Sequence, residues 1–260
     1  MLNTYIVNRA LSVSSGHAYE VKRFLYKFLC AVNWRVEFSS TLEYLNRIKL
    51  NKSPAYYNKQ FFQIVKFLTY LDLPWAKKIE HPQTVQYTPM RVPDCHISDT
   101  LATFKGDLQM TALIHLGCDS GLRAEELYQL RIEDIDLINR TIYVRHDPTN
   151  GHTTKTGIGR VSFFTNKTAS ILHKYIIGFN GQNRKKYLWN KITMERKFRQ
   201  STIRVKLLRK VFSSTWDRKG GQTSIKKILM GHSLRGDVDL MHYNYQPEED
   251  LKRIYDKVMK

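Results

Sequence analysis

The sequence predicts a mostly α-helical protein with a small β-sheet, arranged as a helical N-terminal domain and a larger mixed α/β domain. Three observations carry that expectation. Apolar residues recur at helical spacing through most of the chain. Two short β-branched and aromatic runs flank a Gly/Thr/Asn-rich stretch near the middle. Three prolines without apolar periodicity, Pro82, Pro89 and Pro93, separate the two parts. The division expected is a helical domain over 1–80, a linker over 81–97 and a second domain over 98–260.

Each element has its own local warrant. Over 18–34, Val21, Phe24, Leu25, Phe28, Leu29 and Val32 form one apolar stripe. Ser40 and Glu43 have the spacing of a capping box, with Leu42, Leu45 and Ile48 behind them. Ser53-Pro54 reads as an N-cap and an N1 proline opening a helix through Phe61, Ile64, Val65, Leu68 and Leu71, which Leu73-Pro74-Trp75 ends. Three amphipathic helices in so short a span can enclose a small core. Beyond the linker, Ser98 is the expected N-cap of the next helix. Leu108–Leu116 is a second apolar helix, Gly121 interrupts it, and Ala124–Leu130 restarts a short one. Thr141–Val144 and Arg160–Phe164 read as strands, with Lys155 in the stretch between them. Helices are expected over about 166–178, 185–218, 222–230 and 248–258.

Composition narrows the function. The 260 residues are 42% hydrophobic and 25% charged, as in an ordinary globular chain. No run approaches the ~18 apolar residues of a membrane span, and Met1–Ser15 lacks a secretory layout, so an intracellular protein without membrane contact is expected. The net charge is +19 and the pI about 9.8. The excess is not a tail, since 12 basic and 5 acidic residues already lie before Arg91. Such a balance points to nucleic acid as partner. Cys30, Cys95 and Cys118 are odd in number and widely spaced, which excludes a disulfide framework or a cysteine-based zinc site.

Familiar catalytic patterns are missing. There is no phosphate-binding GxxxxGK[ST] loop, GxGxxG turn or HExxH helix, and no carboxylate cluster suited to two Mg²⁺ ions. No cofactor and no metal are expected. Phosphoryl transfer without a metal needs several fixed cations, a nucleophile and an acid for the leaving group. Arginine suits the first task, because its planar fork matches two phosphate oxygens.

An ordered set of motifs supplies those residue types. Gly121-Leu122-Arg123-Ala124-Glu125-Glu126-Leu127, running on through Leu130 to Asp134-Ile135, resembles the GLR-x-x-E-L…L…D-I box of the tyrosine recombinase (phage integrase) family. Lys155 stands five residues before Arg160, as the family's hairpin lysine does. Lys206-x-x-Arg209 is similar to its H/K-x-x-R helix, and Leu229-Met230-Gly231-His232 to its L-x-G-H. A tyrosine follows: Tyr243, eleven residues after His232, or Tyr245, thirteen after, where the family's usual interval is nine. The lysine at 206 and the long interval look like archaeal virus and plasmid integrases. The Tyr243–Leu251 tail, similar to Y-x-H-x-x-P-E, favours Tyr243.

The resemblance implies roles. Tyr243 would be the nucleophile and Lys155 the general acid. Arg123, Arg209 and Lys206 would stabilise the phosphate, with His232 bonding an oxygen or moving a proton, and Glu126 would support Arg123. It further implies a core-binding domain over 1–80, with the two domains forming a C-shaped clamp on duplex DNA. The catalytic domain would carry a C-terminal exchange segment that docks on a neighbouring protomer. A homotetramer would act on double-stranded DNA carrying specific recombination sites, without metal or ATP. The rivals are a type IB topoisomerase, a non-catalytic DNA-binding protein and a metal-dependent nuclease.

Overall fold

The computed structural model describes residues 1–83, 91–178, 187–233 and 247–260. The chain divides into two compact units, Met1–Pro89 and Met90–Lys260.

The first unit is helical. α1 (Leu2–Ala10), α2 (Ser15–Ala31), α3 (Phe38–Asn51) and α4 (Pro54–Tyr70) are followed by a 3₁₀ turn, Pro74–Lys78. Tyr5, Val21, Leu25, Phe28, Leu45, Ile48, Phe61, Ile64 and Leu68 form its core. Ser53 caps α4 by accepting from the Tyr56 amide at 3.4 Å, with Pro54 at N1. One helix is added to those expected, and the start of another is corrected. α1 has too few apolar positions for periodicity to announce it; only Tyr5 is buried from it. α3 starts at Phe38 rather than after Ser40, whose hydroxyl instead donates to the Glu37 carbonyl.

The second unit is built around α6 (Leu108–Ser120), whose Met110, Ala112, Leu113, Ile114 and Leu116 are buried. α8 (Asn166–Gly178) and α10 (Val205–Arg218) pack on it. Contact with α10 is close at two positions spaced alike on both helices. A methyl at Gly117 would stand 2.7 Å from Leu208, and one at Gly121 would stand 2.4 Å from the Phe212 ring. Three short strands form one antiparallel sheet in the order β1 (Ile135–Asp136), β2 (Thr141–Val144), β3 (Arg160–Phe163). Tyr143 pairs with Val161, and Val144 with Arg160.

Two helix boundaries differ from those read in the sequence. α5 (Asp94–Thr103) opens inside the segment taken as linker; Pro93 precedes it, and Ser98 lies in its interior, bonding back to the Asp94 carbonyl. The stretch taken as one helix over 185–218 is α9 (Lys191–Phe198) and α10, with 199–204 between them. There the Arg204 guanidinium donates to the Phe198 carbonyl, and Ile203 is buried, so the chain turns to bury an apolar side chain. Among the described residues, α7 (Ala124–Gln129), α11 (Thr223–Met230) and α12 (Glu248–Met259) are the remaining helices of the unit.

α12 packs on its own chain. Leu251, Tyr255 and Met259 join Phe163, Phe212 and Trp216 in a second cluster. Arg140 holds Asp256 with two bonds of 2.8 and 2.6 Å, and the Tyr255 hydroxyl donates to the Asp119 carbonyl at 3.0 Å. The thiols of Cys30, Cys95 and Cys118 are free and lie on α2, α5 and α6. No helix among the described residues is long and apolar enough to cross a membrane.

Candidate active site

The C-terminus of α11 is the organising feature. Gly231 ends the helix in the left-handed region, φ +64°. Its amide donates to the Ile228 carbonyl at 2.9 Å, and the His232 amide to the Lys227 carbonyl at 3.0 Å. This is the paired bonding of a Schellman ending. The next three carbonyls point onward without helical partners, and three arginines from three elements take one each. Arg160 of β3 donates through Nε to Leu229 at 2.8 Å, Arg209 of α10 through Nη1 to Met230 at 2.7 Å, and Arg123 through Nη2 to Gly231 at 2.8 Å. The negative end of the α11 dipole favours cations there.

Local sequence places each arginine. Gly121 ends α6 at φ +64°, and the chain reverses through buried Leu122 so that Arg123 stands in extended conformation as N-cap of α7. The same reversal presents the Gly121 carbonyl to Arg209 Nη1 at 2.8 Å. Arg209 reaches it because α10 lies so close to α6 at Phe212.

Glu126 holds the cluster from behind. Its Oε2 accepts from the Arg123 amide at 2.8 Å and Arg160 Nη2 at 2.7 Å; its Oε1 accepts from Arg123 Nη1 at 2.9 Å and Arg160 Nη1 at 3.1 Å. Burial alone would raise its carboxyl pKa, but Arg160 and Arg123 outweigh burial and hold it below the ordinary value. One carboxylate faces three guanidiniums, so the cluster keeps a net positive charge. Burial, then Arg123 and Arg160, push the Arg209 pKa down to about 10.

Donor accounting separates the three. A guanidinium offers five N–H groups. Arg160 uses all three nitrogens on protein and is 8% exposed, so it is a fixed internal cation. Arg209 bonds only through Nη1, leaving Nε and Nη2 unbonded among the described residues. Arg123 keeps Nε and one N–H on each terminal nitrogen. An oxyanion beside Arg123 and Arg209 would therefore find several unused donors. His232 follows directly. Its pKa is held below 6.5 by partial burial first and then by Arg209, Arg123, Lys226 and Arg160, which keeps the ring neutral at neutral pH.

Of the residues singled out from sequence, the structure brings Arg123, Glu126, Arg209 and His232 together. Lys206 is exposed in the first turn of α10, one turn before Arg209. Lys155 is exposed in the β2–β3 connection, five residues before Arg160. Tyr243 and Tyr245 lie outside the described residues. Arg160 was missed as a member of the cluster, although its spacing from Lys155 had marked it.

Spacing also missed a group of metal-ligating types: atoms of Glu133, Asp134 and His152 lie within 4.8 Å of one another. Arg145 Nε stands 2.8 Å from Asp134 Oδ1 and Arg131 Nη1 3.3 Å from Glu133 Oε1, so two guanidiniums already balance both carboxylates.

Comparisons with known proteins give the family and the fold. The Phage integrase family model matches residues 95–240. Over 153 residues the chain is 33% identical to the tyrosine recombinase XerA of Saccharolobus solfataricus, covering 56% of this chain and 49% of that protein. The chain thus spans about half the length of that curated relative. A lambda integrase dimer bound to a COC′ core site matches with a TM-score of 0.66 at 12% identity, over 95% of this chain and 97% of that one. The Tn1549 transposon integrase in complex with circular intermediate DNA matches at 0.65 and 13% identity, over 98% of each. At these identities the likeness is one of fold.

Proposed function

The chain belongs to the phage integrase family, and from that membership we propose that it is a site-specific recombinase that cuts and rejoins duplex DNA through a 3′-phosphotyrosine intermediate, without metal or ATP. The observation that carries the proposal is the cation cluster: Arg123 and Arg209 meet at one helix end with unused donors, beside a neutral imidazole.

The chemistry balances on this chain's own groups. The Tyr243 phenol gives its proton to the neutral His232 ring, and its oxygen attacks the scissile phosphorus. The P–O5′ bond breaks as the O–P bond forms, and the freed 5′-oxygen takes a proton from Lys155. Arg123, Arg209 and Lys206 neutralise charge on the non-bridging oxygens, and His232 accepts or donates a hydrogen bond there. A covalent intermediate keeps the phosphodiester in ester form, so rejoining is the reverse step. The +19 charge supplies non-specific DNA affinity through counterion release. Four protomers act on two recombination sites, with residues 1–80 contributing to core binding and the C-terminal segment exchanging between neighbours.

The test starts from a pool of nicked, randomised duplexes incubated with the wild type in EDTA. Covalently bound DNA is recovered after denaturation and sequenced. Capture by wild type and loss in Tyr243→Phe but not Tyr245→Phe is the expected result. Loss only in Tyr245→Phe moves the nucleophile, and a requirement for Mg²⁺ or no capture at all refutes the proposal. With the recovered site, strand transfer between two duplexes distinguishes recombination from simple relaxation of supercoils.

A further inference from the structure

Lys155 makes no hydrogen bond or ion pair among the described residues, so its reach is set by the backbone that carries it. That backbone is tied to the end of α7 and, through the Arg131 guanidinium on the Asn150 carbonyl, to the residues just after it. The Thr153 amide donates to Gln129 Oε1 at 2.8 Å, and Gln129 Nε2 donates to Thr153 Oγ1 at 3.0 Å. The primary amide thus grips one residue at two points, two positions before Lys155. Around that grip the segment is closed on itself. Asp147 and His152 exchange backbone bonds of 2.8 and 2.9 Å. The Thr154 amide donates to His146 Nδ1 at 3.1 Å, its hydroxyl to the Ile158 carbonyl at 3.0 Å, and Gly157 takes the left-handed conformation that turns the chain, φ +73°.

Gln129 is the last residue of α7, and Arg123 is that helix's N-cap. A six-residue helix spans about 9 Å and does not bend. One rigid rod therefore carries the phosphate-facing arginine at its start and the grip on the Lys155 segment at its end.

We propose that Gln129 is a positioning residue for Lys155, setting the distance between the lysine and the Arg123 guanidinium. The proposal rests on Lys155 acting as the proton donor to the leaving 5′-oxygen. It makes a particular demand: a misplaced acid matters only when the leaving group needs a proton. A bridging sulfur at the 5′ position leaves as a thiolate, whose conjugate acid is near pKa 8.5 in ordinary thiols, and needs none.

The experiment measures single-turnover cleavage of the recovered duplex, with oxygen or sulfur at the 5′-bridging position, by wild type, Gln129→Ala, Gln129→Glu, Lys155→Ala and the double variant. With oxygen, Gln129→Ala slows cleavage on the order of ten-fold. Gln129→Glu, which keeps the acceptor for the Thr153 amide, falls between it and wild type. With sulfur, Gln129→Ala and Lys155→Ala both return to about the wild-type rate. The double variant is no slower than Lys155→Ala alone. DNA affinity and melting temperature of Gln129→Glu stay at wild-type values, which excludes misfolding.

An equal Gln129→Ala defect on both substrates, or additive defects in the double variant, overturns the proposal while leaving the lysine's role intact. A Lys155→Ala defect that sulfur does not relieve overturns the lysine's role, and the proposal with it. Wild type that cleaves neither duplex removes the functional reading underneath both.

Discussion

Replacing Glu126 with glutamine keeps the shape of the side chain and removes its charge. The carboxylate, 4% exposed as a residue, accepts four N–H groups, two on each oxygen. Glutamine retains one oxygen and turns an NH₂ toward the donors that used the other. Two bonds to charged or cap donors are lost, at about 1.5–3 kcal/mol for each bond to a charged group. Removing one partner of a buried ion pair costs about 3–5 kcal/mol. Arg123 is 21% exposed, so water recovers part of its share and the lower end applies. A loss of about 3 kcal/mol lowers the melting temperature of the larger unit by about 6–12 °C.

The pH dependence has a definite sign. Because the folded carboxyl lies below its ordinary value, its stabilisation is complete above the usual glutamate range, around pKa 4.3, and disappears as pH falls through the folded value. Wild type and Glu126→Gln should therefore differ at pH 7 and converge in acid, as read by thermal melts followed by circular dichroism. A drop of less than about 2 °C at pH 7, or a gap that persists in acid, would refute the reasoning.

Other outcomes follow from neighbouring features. Gly231→Ala forces a left-handed alanine and sets a methyl 2.8 Å from the Arg160 side chain, which Glu126 and Leu229 keep in place; a loss of about 2 kcal/mol is expected in chemical denaturation. The His232 ring should titrate below 6.5 by NMR, and Arg123→Ala should raise its midpoint by removing one of the charges that depress it. Since the fold favours the neutral ring, this group's contribution to stability is lost as pH falls below 6.5. Deleting residues 247–260 uncovers Phe163 and Trp216, so the melting temperature should fall. If that segment exchanges between protomers, light scattering of the DNA complex should also show fewer than four chains.

What could be read from the sequence was whatever a local rule governs. Gly121-Leu122-Arg123 and Gly231-His232 are helix ends, and a helix end has a signature within a few residues. The strands at 141–144 and 160–163 and the capped start of α4 were legible for the same reason. The Arg160 role was not, because its partners Glu126 and Leu229 stand 34 and 69 residues away. Nor was the meeting of His152 with Asp134, which depends on how the β2–β3 connection folds back on the turn after α7. The break between α9 and α10 escaped because helical periodicity continues across it; burial of Ile203 decided the turn.

Three like charges gathered around one carboxylate leave the free protein electrically incomplete. Burial first, and then this mutual repulsion, hold the Arg209 pKa down to about 10. Any tetrahedral oxyanion that enters relieves the repulsion, so occupancy and folding draw on the same free energy. Inorganic phosphate, sulfate or vanadate should accordingly raise the temperature at which the larger unit melts. In Arg123→Ala, where much of the tension is already gone, that gain should shrink.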